Sequence, residues 1–436
     1  MNSKPLTYDS SKTVIQYMDP NLRFLLSSRI PSIRTVEKAV PLKINKIRFE
    51  EHLICVDKIA YEYGVYQVDC KLKIPHKGNL SSRLNLKSTC DVDEFGIRDY
   101  ITRAGGMLPG NNGLREENLF GEYDLEIIPT NEGRIQKLKK RIELEKERYN
   151  QVMDYRPKEN LTNDNYYIFD FIGIRHDVPQ LYKKELELLN TEKRMNNIRP
   201  KFEIQLTKQQ TNSEPCVIER VKYEGDLHKA GDSIMEFMFA KRPLIQVNKL
   251  TLFSSCLTQL PSDMKMRIRN LKLLSDVSSM VRLIKPFIDE SSFPCEKLKI
   301  DLNRVQELDQ EFFKQFKKLI IDGPIDLTFP FIQHIPNQIV HFQSDSNIYE
   351  SPDFIDFIRN WVDINKSIGT CFTFYCYQDD SDLIQILNRV KDQIEGAIAG
   401  DKSVVIPMKN STVLEISYQS SRGEDSIIKM AVMPIK

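Results

Sequence analysis

The chain has 436 residues, with 62 Lys and Arg against 61 Asp and Glu, 41% hydrophobic residues and 28% charged ones. Those proportions exclude wholesale disorder, and the length exceeds one ordinary core, so two or three units are expected. The opening MNSKPLTYDSSKTVIQYMD lacks the apolar run of a signal peptide, and no stretch reaches the ~18 apolar residues of a membrane span, so a cytoplasmic or nuclear protein with no membrane partner is expected.

Charge is unevenly placed. Residues 1–49 carry nine Lys/Arg against three Asp/Glu, a balance of +6, and residues 301–400 carry eight against sixteen, a balance of −8. Two solvated faces of opposite sign account for this, as does an N-terminal module suited to an acidic partner.

In chain order, residues 1–43 predict a small helical unit. Asp9 or Ser10 can cap a first helix that contains VIQYM, and Asp19-Pro20 stops it. A second helix is expected over Leu22 to Ser28, where Pro20 suits a helix start, and a third from Ser32 to about Ala39. From Ile44 the period changes to two, in KINKIRF, CVDKIAY and VYQVDCKLKI, so residues 44–206 predict a β-rich middle domain. Within it the glycine run Gly105 to Gly113 reads as loop, DLEIIP and YYIFDFIGI as strands, and residues 134–153 and about 181–195 as two charged helices. TKQQTNSEP, residues 207–215, reads as a surface loop or linker.

Residues 216–436 carry the most specific pattern. Apolar residues recur at positions 1, 4 and 6 of four segments: Val247, Leu250, Leu252; Ile268, Leu271, Leu273; Cys295, Leu298, Ile300; and Phe316, Leu319, Ile321. The intervals of 21, 27 and 21 residues suit leucine-rich-type repeats, with return segments in MVRLIKPFI and LDQEFFKQF. Further strands are expected at QIVHFQ, CFTFYCY and TVLEISY. The ninth position holds Ser255, Asp276, Asn303 and Pro324, of which only Asn303 suits an asparagine ladder, so the array is irregular or consists of separate βα units. The fold class expected is mixed α/β.

No constellation for chemistry emerges. The eight cysteines form no CxxC and pair with no histidine at zinc spacing. The glycine run has no phosphate-loop lysine. Asp91-Val92-Asp93-Glu94-Phe95-Gly96 begins like a calcium loop but has Phe95 at the fifth position and Thr102 at the twelfth. Asp379, Asp380 and Asp382 directly precede LIQILNRV, where helix capping explains them. The six histidines include no HExxH, and no GxSxG occurs. Residues 134–148 carry seven Lys/Arg against three Glu, interleaved as Lys139 with Glu143 and Arg141 with Glu145, which favours a solvated helix face over nucleic acid. No catalytic residue, metal or cofactor is expected; the chain reads as a protein-binding protein.

Two segments together carry a resemblance. PLTYDSSKTVIQYMDPNLRFLLSSRIPSIRTVEKAVPLKI resembles a degenerate F-box, and DVDEFGIRDYITRAGGMLPGNNGL with the stretch from Trp361 to Phe374 resembles the F-box C group, a nematode-expanded family with an F-box-associated domain of uncharacterised function. The resemblance spans nearly the whole chain. It implies an F-box-like three-helix unit at the N-terminus and a substrate-recruiting adaptor of a cullin-RING ubiquitin ligase. Pro5, Leu6, Ile15, Met18, Leu22 and Leu25 would then make the apolar contacts to a Skp-type adaptor, and the +6 balance would face an acidic partner. A scaffold or binding module without ligase association is the alternative.

Overall fold

The computed structural model describes residues 7–50, 52–68, 87–88, 91–97, 131–154, 184, 188–211, 213–253, 260–274, 276–302, 308–323, 330–343, 352–376, 380–420 and 426–435. Pro5, Leu6, the glycine run Gly105 to Gly113, DLEIIP and YYIFDFIGI lie outside them.

The N-terminal helices form where their caps place them. Helix α1 (Tyr8–Gln16) starts earlier than expected because the Thr7 hydroxyl, not Asp9 or Ser10, accepts from the Ser10 amide. In α2 (Pro20–Arg29) the Asp19 carboxylate accepts from the Asn21 and Leu22 amides, and Pro20, which has no amide proton to satisfy, takes the first helical position. A 3₁₀ turn over Pro31–Ile33 leads into α3 (Arg34–Ala39).

Strands β1 (Leu42–Glu50), β2 (Leu53–Val56) and β3 (Ile59–Gln67) follow. The alternating run CVDKIAY, read as one strand, breaks at Asp57, whose φ of 55° is a turn conformation that aspartate tolerates. Next come β4 (Lys87–Ser88), α4 (Asn131–Asp154), β5 (Phe202–Gln210), β6 (Cys216–Lys222) and α5 (Leu227–Phe239). Then follow β7 (Ile245–Phe253), β8 (Met266–Leu274), α6 (Val277–Ile284), β9 (Cys295–Asp301), α7 (Gln310–Lys314), β10 (Phe316–Asp322), α8 (Pro330–Gln333) and β11 (Ile339–Phe342). The chain closes with α9 (Pro352–Asp363), β12 (Cys371–Cys376), α10 (Asp380–Gln393), β13 (Ile398–Ala399), β14 (Ser403–Met408), β15 (Thr412–Ser420) and β16 (Ser426–Pro434). This is a mixed α/β fold.

The chain divides into two compact units rather than three consecutive ones. The first holds Met1–Glu50, Cys55–Asp57 and Met238–Lys436, and the second holds Glu51–Ile54 and Lys58–Phe237. Ile44 to Glu50, expected to open the middle domain, instead stand in β1 beside β7. Cys216–Lys222, expected to open the C-terminal array, instead form β6 in the second unit. The polar run TKQQ belongs to β5, which pairs antiparallel with β6.

In the first unit β1, β7, β8, β9, β10, β11 and β12 lie side by side in that order, each parallel to the next. Their register aligns the apolar positions into rows. Ile47, Leu250, Leu271, Leu298, Leu319, Val340 and Phe372 are successive partners, none more than 1% exposed. Phe49, Leu252, Leu273, Ile300, Ile321, Phe342 and Phe374 form the neighbouring row. Burial of each such side chain is worth about 1.5–3 kcal/mol, so these rows are the main source of the unit's stability.

Helices supply part of the packing. In α6, Val277, Met280, Val281 and Ile284 are buried, and Asp276 caps the helix by accepting from the Ser279 amide. Phe312 of α7 packs edge-on against Phe316, and Trp361 of α9 stands 4.5 Å from Phe372, fully buried. Beyond β12 the sheet turns antiparallel through β16, β15, β14 and β13.

The second unit is an antiparallel assembly in which β5 pairs along the whole of β3, β4 pairs with β3, and β5 shifts register against β6 between Leu206 and Thr207. Tyr63, Val65, Val92 and Leu227 form its core, with Phe202, Ile204, Leu206, Tyr223 and Ile234 packed around them. The calcium-like segment serves this core. Asp91 accepts from the Tyr223 hydroxyl and the Leu227 amide, and Asp93 from the Phe95 and Ile97 amides. Gly96 has φ +86°, and a Cβ there would lie 2.7 Å from both Asn190 and Phe202, so no other residue fits. In α4 Leu138 and Ile142 are buried, and Lys139, read beside Glu143 in the sequence, pairs with Glu192 at 3.1 Å.

Candidate interaction surface

Of the residues expected to contact an adaptor, Leu22 is 42% exposed, Met18 and Leu25 are half-buried, and Ile15 is 5% exposed and part of the core. Ile15 therefore holds α1 in place and offers no contact area of its own. The same segment exposes three apolar side chains that were not among the expected adaptor contacts: Tyr8, and Val14 and Tyr17 of VIQYM, the last of them 82% exposed.

A buried ion cluster fixes these helices. Arg23 of α2 is 1% exposed and donates from Nε to Glu37 Oε1 at 2.9 Å, from Nη1 to the Pro41 carbonyl and from Nη2 to the Glu37 and Val40 carbonyls. Arg242 makes a two-pronged contact with the same carboxylate at 2.8 Å and donates from Nε to the Met238 carbonyl. Burial pulls the Arg23 guanidinium below its ordinary value, against the opposing pull of Glu37. Lys38 donates to the Ala240 carbonyl, and Phe24 and Phe49 both pack edge-on against Phe239. The helical segment is therefore tied to the start of β7 through residues about two hundred positions away in sequence.

The outward positions of the array make a second feature. Between the apolar rows, the register aligns Lys46, Lys249, Asn270, Lys297, Lys318 and Ile339 as successive partners. Two residues further along the strands it aligns Arg48, Thr251, Lys272, Lys299, Ile320 and His341. Seven cations thus stand in two rows that contain no acid. Lys299 pairs with Asp322 at 2.7 Å and Arg48 with Glu50 at 2.8 Å. Lys46, Lys249, Lys272, Lys297 and Lys318 form no ion pair among the described residues.

The crowding has an electrostatic signature. The Lys249 ammonium is held below its ordinary value by partial burial first, and then by Lys46, Lys297, Lys272 and Lys299. Burial and then Lys318 lower His341, which is neutral at pH 7. At the N-terminal ends of β1, β7, β8 and β9 the face continues into an open groove of about 700 Å³, lined in part by Lys43, Arg267 and Arg269. Within that groove Asn248 donates to Asn45, and Asn270 of the lysine row donates to the Asn248 carbonyl, both at 2.9 Å.

Burial, with a contribution from Glu296, pushes the Cys295 thiol up to about 12, so it stays protonated. Among the described residues, no three His, Cys, Asp or Glu converge to hold a metal ion, and no helix is long and apolar enough to cross a membrane.

Residues 226–378, from the start of α5 through β12, match a family described as a domain of unknown function (DUF3557). That stretch holds the parallel strands β7 to β12 and omits β1 and the antiparallel strands. No curated protein and no solved structure matches the chain.

Proposed function

We propose that this chain is a non-catalytic interaction protein: a substrate-recruiting adaptor of a cullin-RING ubiquitin ligase, working in the cytoplasm or nucleus. In this reading the F-box-like helices dock on a Skp-type adaptor, and the irregular leucine-rich-repeat-like array presents the target-binding surface. One observation carries it. The exposed apolar residues of α1 and α2 belong to a segment locked by Arg23, Glu37 and Arg242 to the unit that carries the parallel array. A partner held at Leu22 and Tyr17 would sit at a fixed distance from a target held on β7 to β10, which is what an adaptor requires.

The test is co-purification of a Skp-type adaptor with the full chain and with a Tyr17→Ser, Leu22→Asp double variant. Both positions are exposed, so the melting temperature should not move by more than a degree or two. Recovery with the parent chain and its loss with the variant is the expected result. Equal recovery with both, or recovery with neither, overturns the adaptor reading and favours a scaffold without ligase association. Deleting residues 1–40 would be a poor substitute, because it strips Glu37 from the buried Arg242.

A further inference from the structure

Resting on the reading of the array as a target-binding surface, we propose that its two cationic rows bind an acidic, extended peptide segment that crosses the strands and ends in an apolar residue. Neighbouring strands lie ~4.8 Å apart, so the row from Lys46 on β1 to Lys318 on β10 spans roughly 19 Å over five strands. An extended peptide advances ~3.3 Å per residue and places alternate side chains on one side every ~6.7 Å. About six residues therefore cover the row, and the second row, at Arg48, Lys272 and Lys299, lies ~6.7 Å away along the strands. Carboxylates on both sides of the peptide backbone can reach a cation.

The composition of the rows selects among anionic partners. A single-stranded nucleic acid needs aromatic platforms for its bases as well as positive charge. The two rows hold Asn270, Thr251, Ile320, Ile339 and His341 besides the cations, and no Phe, Tyr or Trp, so the single imidazole at one end is no run of stacking platforms. At the β10–β11 end the cations give way to Ile320, which is buried, and to Ile339, 39% exposed, and Ile339 would receive the apolar end of the peptide. Mutual repulsion among Lys46, Lys249, Lys272, Lys297 and Lys318, which form no ion pair among the described residues, is relieved when a carboxylate-rich segment lies among them, whereas Arg48 and Lys299 already have Glu50 and Asp322.

The probe is a fluorescent peptide of about eight residues, Glu and Asp followed by Leu, titrated into the full-length chain by anisotropy. The controls are the Gln/Asn version of the peptide and a uridine oligonucleotide of similar length. Binding of the acidic peptide alone is expected, weakening at least about tenfold between low and moderate salt as the ionic atmosphere screens exposed charges. Lys249→Glu with Lys297→Glu should weaken it at least about tenfold, and the milder Lys249→Gln, Lys297→Gln pair should weaken it less while leaving the melting temperature intact. Unchanged affinity in both variant pairs, equal affinity for the neutral peptide, or preference for the oligonucleotide overturns the proposal. No adaptor enters this measurement, so its failure leaves adaptor co-purification untouched, and failure of co-purification leaves peptide binding untouched.

Discussion

Two concentrations of positive charge sit in the same unit under opposite rules. Arg23 and Arg242 are buried against one carboxylate, and their remaining donors reach backbone carbonyls. Lys46, Lys249, Lys297 and Lys318 line up in a row that crosses five strands and contains no acid. A buried cation must find partners within the chain, because desolvation costs several kcal/mol that only close pairing offsets. A solvated lysine carries no such obligation, so its missing partner costs little and leaves charge free for another molecule. The first cluster is architecture, and the second is a surface.

Glu37→Ala would break the buried side of that comparison. It leaves two guanidinium groups in the core against backbone carbonyls alone, and a loss of about 3–5 kcal/mol is expected in urea denaturation. A loss below about 1 kcal/mol would mean that water reaches the arginines and that the cluster does not anchor the helices. Adjacent residues on β9 sharpen the contrast: Leu298→Ala should cost about 2–5 kcal/mol through the cavity it opens, and Lys297→Ala should change stability by no more than about 0.5 kcal/mol.

The inner rows were legible in the sequence because parallel strands repeat one spacing, and Leu250, Leu271, Leu298 and Leu319 sit at the same position of each repeat. Ile44, Ile47 and Phe49 carry that spacing too. They escaped notice because β1 lies about two hundred residues before Val247, and a search for regular intervals rejects such a gap. The lysine rows were written at positions 3 and 5 of the same segments, as Lys297 and Lys299 show most plainly. A net charge of +1 concealed them, since acids elsewhere in the chain cancel the sum while occupying other faces. The Glu37–Arg242 pair had no local signal at all, for no sequence window contains both residues. In the N-terminal helices hydrophobicity alone could not separate Ile15 from Leu22, because which side of a short helix is covered depends on what packs there.

The smallest predicted effect probes the exposed side most directly. Lys46 lies directly opposite Lys249 on the neighbouring strand, and like charges in that position are unfavourable by about 0.2–1 kcal/mol. Lys249→Gln should therefore stabilise the chain by a few tenths of a kcal/mol at pH 7 and low salt, and the gain should fade as salt screens the pair. The pH dependence follows from the direction of the shift. Lys249 is lowered in the folded state relative to the ordinary 10.5, so between its lowered value and 10.5 the unfolded chain binds more protons. The parent chain should gain stability as pH rises through that window, whereas the glutamine variant should lack this component, so the two melting curves converge toward alkaline pH. If instead Lys249→Gln destabilised the chain at neutral pH, the ammonium would have a neutralising partner on the folded chain, and the cationic rows would be a satisfied surface like the cluster around Glu37.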